Sequence, residues 1–483
     1  MSRRINTGSR LRGLLGDAWG SAWRWVLIAI AVAAVTYFVL ESAGGGDIVT
    51  AAVLAGLAIG AALTRFEPLS LALMAAPAVL IAQRVGFVPG GLTVSDAALA
   101  AGLGIAILLG KHDYSPQLRS LLMLNGIYQF ATLFTVIVHP FPQNTIEWFH
   151  AWVLISGALL VGWAIGRAGK ARLAIMLLLG MAGLIALGTF VTAIGQWAHG
   201  DLLSPVYPAW PWPQHKNAAG AALAAAAFVA YLNVDWARIP THWARIAFWA
   251  FIAALVLTQS RQSIIGLIVA LFIYTMRHGA AKHIVLAIVL GVPGIVLVIQ
   301  SVIDQIESQN KFNSVYQRLD WMREVYALWK HDPIFGQGLR YWYVHPTAKF
   351  QPPQAELEVV ASAGIVGLLG FGIMWLGIII VLWRTNARFG MLAFGVVLAR
   401  IVQGQFDLFW VSGQVSTPFL IAGICLGAQA FSRAQSADPE DWWQPRRERA
   451  PRGRRTRRDT SKATQRRAAR NRSHMIDTAN GGE

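Results

Sequence analysis

The feature that most restricts this chain is a succession of apolar stretches, 13 to 27 residues long and nearly free of charge, separated by polar breaks. In hydrocarbon every backbone N–H and C=O must be satisfied within the protein, so only helices or closed barrels survive there, and stretches of this length are helical. Candidate helices fall at about 25–40, 48–63, 69–82, 97–110, 118–138, 151–166, 173–195, 218–233, 246–258, 262–276, 283–302, 357–383, 389–405 and 415–431. A crossing takes about 17–25 residues. The third, fourth, ninth and tenth stretches are short of that, and if pairs of them form broken or re-entrant segments the count becomes twelve. The expected fold class is an all-α integral membrane protein of about fourteen, alternatively twelve, transmembrane helices. We find no internal repeat.

Charge is scarce, and its placement carries the topology. Asp, Glu, Lys and Arg make up 13% of the 483 residues, about half the usual share of a soluble domain. With both termini on the cytoplasmic side, the short inner loops are 64–68, 111–117, 167–172, 234–245, 277–282 and 384–388, and each carries Lys or Arg. The short outer loops carry only Arg84, Lys216 and Arg261. This is the asymmetry of a bacterial inner-membrane protein. Of the 41 Lys and Arg, 31 fall inside, so the net +17 reports topology rather than a nucleic-acid partner. The lone Cys425 lies in an apolar run, which excludes an intramolecular disulfide. The run Trp25–Leu40 lacks a small-x-small cleavage site and reads as a retained first span after the basic residues 1–24.

The organisation that follows is a cytoplasmic N-terminus (1–24), eleven helices (25–302), a long extracytoplasmic loop (303–356), three helices (357–431) and a tail (432–483). The tail holds thirteen Arg and one Lys without apolar periodicity, reads as disordered, and suits anionic lipid headgroups. In the loop, Val315, Leu319, Met322, Tyr326 and Trp329 recur at helical spacing, which predicts an amphipathic helix over 314–331 on the membrane face. Asp332-Pro333 stops it, and Gly336 and Gly338 turn the chain back.

Charges near or inside apolar helices are functional candidates by default. Arg261 lies in TQSRQS, Arg318 on the loop helix, and Arg400 inside MLAFGVVLARIV with Gln403 and Asp407 near the same face. His215, Lys216 and Asn217 precede the Ala-rich eighth span. Each has a plainer reading: a snorkelling end for Arg261, a surface ion pair for Arg318, a partner of Asp407 for Arg400, a helix cap for Asn217. Together they suit an anion, because Arg forks bind phosphate oxygens bidentately and stay charged when dehydrated. The outer segment 196–214 is rich in Trp, Tyr and Pro, which fits an interfacial aromatic belt better than a sugar platform. Glu356 and Glu358 stand where the long loop re-enters the membrane, about 200° apart on a helix, so only one should face a shared cavity. Either could serve as a general base, as could His345.

Several short motifs, in order, resemble the O-antigen polymerase and O-antigen ligase family of membrane glycosyltransferases. Ser260-Arg261 resembles the family's outward Ser-Arg pair, Arg318 with Trp321 its loop helix, and HDPIFGQGL at 331–339 its His-x-Pro-x-x-Gly-x-Gly turn. ASAGIVGLLGF at 361–371 and HKNAAGAALA at 215–224 resemble two further stretches, and the likeness covers roughly 210–385. It implies transfer of a glycan from a polyprenyl-pyrophosphate carrier on the outer leaflet to a growing chain or another acceptor. Outward arginines (Arg261, Arg318, with Arg400 nearby) would hold the pyrophosphate, and His215, Lys216, Asn217 and Arg340 would contact saccharide or acceptor. No metal, cofactor or nucleotide is implied, and a flippase or chain-length protein is a natural partner. The family's loop His-Asn falls here on Pro353-Gln354, so either Glu356 (the preferred base), Glu358 or His345 takes the role, or the acceptor needs no such base. The rival expectation is a lipid-glycan flippase or other transporter, which should distribute its intramembrane charges around a central cavity.

Overall fold

The structure is a computed structural model of the full chain and describes Val26 and residues 48–84, 92–278, 314–345 and 351–435. The expected helices at 25–40 and 283–302 and almost all of the Arg-rich tail lie outside those residues.

We number the helices α1 (Ile48–Leu63), α2 (Ser70–Ala78), α3 (Val94–Leu109), α4 (Pro116–Val138), α5 (Pro142–Arg167), α6 (Ala171–Ala198) and α7 (Lys216–Leu232). There follow α8 (Thr241–Thr258), α9 (Arg261–His278), α10 (Ser314–His331), the one-turn α11 (Tyr341–Val344), α12 (Ala355–Arg384), α13 (Ala387–Gly404) and α14 (Ser412–Gln435). Among the described residues no strand forms, and a single bridge pairs Arg84 with Thr93. Seven of these helices (α4, α5, α6, α8, α12, α13 and α14) are long and apolar enough to cross a membrane, with α3 and α7 shorter apolar helices. The protein is therefore a multi-pass membrane protein. Its perimeter agrees: Ile365, Leu369, Ile373, Leu376, Ile380 and Trp383 form one exposed apolar stripe along α12. A stripe of that length belongs against acyl chains.

The loops sort into two ends. Arg167 pairs with Asp113 (2.5 Å), Lys170 with Glu67 (2.7 Å) and Arg388 with Asp235 (3.9 Å), all between loops that the Lys/Arg pattern assigns to one side. At the opposite end Gln214 donates to the Leu80 carbonyl (3.1 Å), His139 Nε2 meets the Gly336 carbonyl (2.7 Å), and Gln262 donates to Asp407 (2.8 Å).

At the centre α14 is buried almost throughout and lies against α5. The two helices share a reciprocal small-residue seam: a Cβ at Gly162 or Gly166 would strike the Leu420 or Ile424 carbonyl, and one at Gly423 or Gly427 the Leu159 or Trp163 carbonyl. Hydrocarbon provides no hydrophobic drive between helices, so such close backbone approach is what holds them.

Two expectations are corrected in detail. The sixth helix begins at Pro142, not near 151, because Pro142 suits a first helical position and a π-turn at Val153–Gly157 carries the helix onward. Along α10 it is Val325 that is buried, flanked by half-buried Trp321 and Leu328, whereas Met322 and Tyr326 are exposed. Periodicity located the helix but not which apolar stripe packs on α12.

Candidate active site

The site is assembled at the end that holds the long loop, and the break in α12 organises it. Gly364 has φ +64° within an otherwise continuous helix. The break frees helix backbone groups, and the turn Asp332–Gly338 docks into them. Gln337 and Gly338 N–H donate to the Ala361 and Ser362 carbonyls (3.0 and 2.9 Å), and Ile365 and Val366 N–H donate to the Pro333 and Ile334 carbonyls (3.0 and 3.2 Å). The two motifs 331–339 and 361–371 are thus one structural unit.

Just beyond this joint stands Arg340. Its N–H donates to Asn144 Oδ1 (3.1 Å), its guanidinium lies over the Tyr343 ring (4.6 Å) and reaches Glu147 Oε2 at 2.5 Å. Behind Glu147 the charges continue inward: His150 Nδ1 lies 3.5 Å from Glu147 Oε2 and Nε2 lies 3.0 Å from Asp96 Oδ1. Asp96 Oδ2 also accepts from Thr93 N–H (2.8 Å), Thr93 Oγ1 (2.8 Å) and Ser412 Oγ (3.0 Å). Sequence reasoning missed Asp96, Glu147 and His150. The signals were present, as an i, i+3 acid and histidine on an apolar helix and a Thr-x-x-Asp capping box.

Glu356 and Glu358 face different cavities. Glu358 is 3% exposed, accepts from Gln351 Nε2 (2.6 Å) and the Phe409 N–H (3.5 Å), and lies within electrostatic range of Glu147 and Arg400. With Glu147, Gln129, Ser362, Tyr128 and Trp410 it lines a polar pocket of about 10 Å3, the size of one water. Gln129 is buried there with both amide atoms lacking a protein partner, and the Tyr128 ring stacks on Trp410 at 5.5 Å. Glu356 accepts from Gln405 Nε2 through Oε1 (2.7 Å), while its Oε2 is buried and unpartnered. It borders a cavity of about 220 Å3 walled by Phe371, Trp375 and Phe409. Gln405 also borders a second cavity, of about 370 Å3, with Trp321, Met322, Pro352–Gln354 and Phe406.

The cations divide sharply. Arg400 is 1% exposed, donates to Gln414 Oε1 (2.7 Å) and the Leu408 carbonyl (2.9 Å), and also bonds the Phe409 carbonyl. It clamps the loop after α13, and Asp407 bonds Gln262 instead. Arg261 is exposed at the first turn of α9. The Lys216 ammonium lies within its electrostatic range and over the Tyr207 ring (5.8 Å). The α7 and α9 starts touch, since a Cβ at Gly220 would strike Ser260. His215 caps α7 by accepting from Asn217 N–H (3.2 Å), so Asn217 lies inside the first turn. Arg318 lies on α10, its side chain outside the described residues. His345 is exposed, stacked on Tyr341 at 4.3 Å and away from the carboxylates' hydrogen bonds.

Tyr343 closes the arrangement. Desolvation raises its phenol above the usual range, Arg340 and Arg84 acting against it and Glu358 and Glu147 with it. The neutral hydroxyl donates to Gln351 Oε1 (3.0 Å), the residue that holds Glu358.

No curated protein matches the chain. Residues 246–372, running from α8 through the broken start of α12, match the model of the O-antigen ligase family, the stretch that includes Ser260-Arg261, α10, the Asp332–Gly338 turn and its docking break. This stretch is thus similar to the O-antigen ligase family, consistent with the O-antigen polymerase and ligase family of membrane proteins that act in polysaccharide assembly.

Proposed function

We propose that this protein is a membrane glycosyltransferase that moves a saccharide from a polyprenyl-pyrophosphate carrier to a hydroxyl of a growing chain or acceptor at the outer face of a bacterial inner membrane. The observation that carries the reading is one loop with two attachments. Gln405 bonds Glu356, and Asp407 two residues on bonds Gln262, the neighbour of Arg261. A carboxylate with one unpartnered oxygen and an exposed guanidinium beside Lys216 therefore belong to one constellation.

Arg261 and Lys216 at two helix starts suit pyrophosphate oxygens, with Arg318 of α10 as a further contact. Glu356, which borders a cavity large enough for a sugar hydroxyl and keeps one oxygen unpartnered, is the base; Glu358, with both oxygens engaged, supports the framework. The acceptor oxygen attacks the anomeric carbon, the bond from that carbon to the phosphate oxygen breaks, and its electron pair leaves on the pyrophosphate. Glu356 takes the hydroxyl proton, and the products are the lengthened glycan and polyprenyl pyrophosphate. Fixed cations lower the cost of the charge developing on the leaving group, and the carboxylate makes a weak nucleophile competent.

Purified full-length protein in lipid nanodiscs, given a polyprenyl-pyrophosphate oligosaccharide, should release polyprenyl pyrophosphate and form a ladder or a single transfer product. In vesicles, movement of the intact lipid across the bilayer without product would overturn the reading in favour of a flippase.

A further inference from the structure

We propose that Glu147 is a positioning residue for Arg340: a chain of buried charges from α3 and α5 sets where a guanidinium of the long loop stands at the outer site, ready to hold the saccharide of donor or acceptor. The inference rests on the transferase reading above.

The chain of contacts is asymmetric. Its inner end is over-determined, since Asp96 accepts from Thr93 N–H, Thr93 Oγ1 and Ser412 Oγ and also meets His150. Its middle, His150, has a carboxylate near each ring nitrogen: Asp96 in hydrogen-bond contact with Nε2 (3.0 Å) and Glu147 at ion-pair distance from Nδ1 (3.5 Å). The outer end is open: the Glu147 side chain is 9% exposed, that of its partner Arg340 is 22%. A purely structural ion pair has no need of a solvent-reached end. Arg400 illustrates the contrast, with its terminal nitrogens consumed by Gln414 and two carbonyls.

The backbone of Arg340 is fixed by the same helix. Asn144, one turn before Glu147, accepts its N–H, and Gly338 (φ +114°) packs so closely on Phe141 and Asn144 that a side chain there would strike both. The first two turns of α5 thus hold Arg340 at both ends. Glu147 occupies one terminal nitrogen of a group with five donors, which leaves a fork free for sugar hydroxyls or an acidic substituent. Rigid support of this kind turns a flexible side chain into a preorganised contact.

The test is a double-mutant cycle in full-length protein in nanodiscs, with a polyprenyl-pyrophosphate oligosaccharide as donor. Glu147→Gln and Arg340→Ala should each raise KM for donor or acceptor about tenfold with kcat nearly unchanged, and the double variant should be no worse than Arg340→Ala alone. Glu147→Asp should recover part of the loss, and Asp96→Asn, two links away, should give a smaller change in the same direction. Independent multiplicative effects, or unchanged KM with a lower yield of folded protein, would overturn the proposal. If the wild type transfers nothing, the transferase reading fails by itself. Labelling of Arg340 by phenylglyoxal, read by mass spectrometry, then decides the positioning: a severalfold rise in folded Glu147→Gln supports it, and equal labelling overturns it.

Discussion

Gly336 and Gly364 interlock. Each has positive φ, +71° and +64°, and a Cβ on either would collide with backbone of the other's segment: Ser362–Ala363 for Gly336, Ile334 and Gly336 for Gly364. The contact explains why the turn at 332–338 and the helix break at 364 occur together, for neither backbone shape has a partner without the other.

Gly336→Ala and Gly364→Ala should therefore each destabilise the protein by about 2 kcal/mol or more, from left-handed strain plus a clash that backbone atoms cannot yield to. Thermal midpoints of the detergent-purified variants check this. A midpoint within a degree of wild type for either would contradict the docking.

Arg261 stands exposed on a helix start, and in the proposed reading it serves binding and charge stabilisation rather than folding. Arg261→Ala should lower transfer by roughly 10²-fold or more while leaving the thermal midpoint in place, and Lys216→Ala should act in the same direction with a smaller effect. Initial rates of polyprenyl-pyrophosphate release, measured beside melting curves, separate the two quantities.

The two acids of the α12 start should behave differently because they face different cavities. Glu356→Gln keeps size and hydrogen-bonding capacity but removes the proposed base, and should cost roughly 10²–10⁴-fold in kcat. Glu358→Gln keeps one acceptor oxygen for Gln351 Nε2 and gives up only the long contact from the Phe409 N–H (3.5 Å), in a site closed to substrate, and should retain most of the rate. The reverse ranking in a kcat assay would move the base to Glu358.

Arg400 is the converse case, buried with both terminal nitrogens engaged. Arg400→Ala strands Gln414 and two loop carbonyls and opens a void beside Phe409, whose ring lies 5.0 Å from the guanidinium. A loss of about 3–5 kcal/mol is expected for breaking a buried charged cluster, visible as aggregation or a lower midpoint before any kinetic effect. A well-folded, inactive Arg400→Ala protein would instead point to contact with the donor.

The helices were legible in the sequence because a membrane span is read from a local sum. The apolar stretch at 48–63 coincides with α1, and 118–138 and 357–383 lie within two residues of α4 and α12. The start of α5 was not, and the reason is physical: Glu147, Trp148 and His150 look like loop residues until their partners are known. The same holds for the packed face of α10, where lipid and protein both accept an apolar stripe.

By itself, then, the sequence determined a helical membrane protein, the sorting of its loops between two ends, and the arginines and acids near the end that holds the long loop. These depend on quantities that sum along the chain, the apolar transfer of each stretch and the Lys and Arg of each loop. Only the tertiary structure decided which charges meet. Asp96 and Ser412 lie 316 positions apart and Arg340 N–H meets Asn144 across 196, distances over which no local period carries information. Such pairs arise because a charge withdrawn from water must find its partner wherever the packed helices bring one.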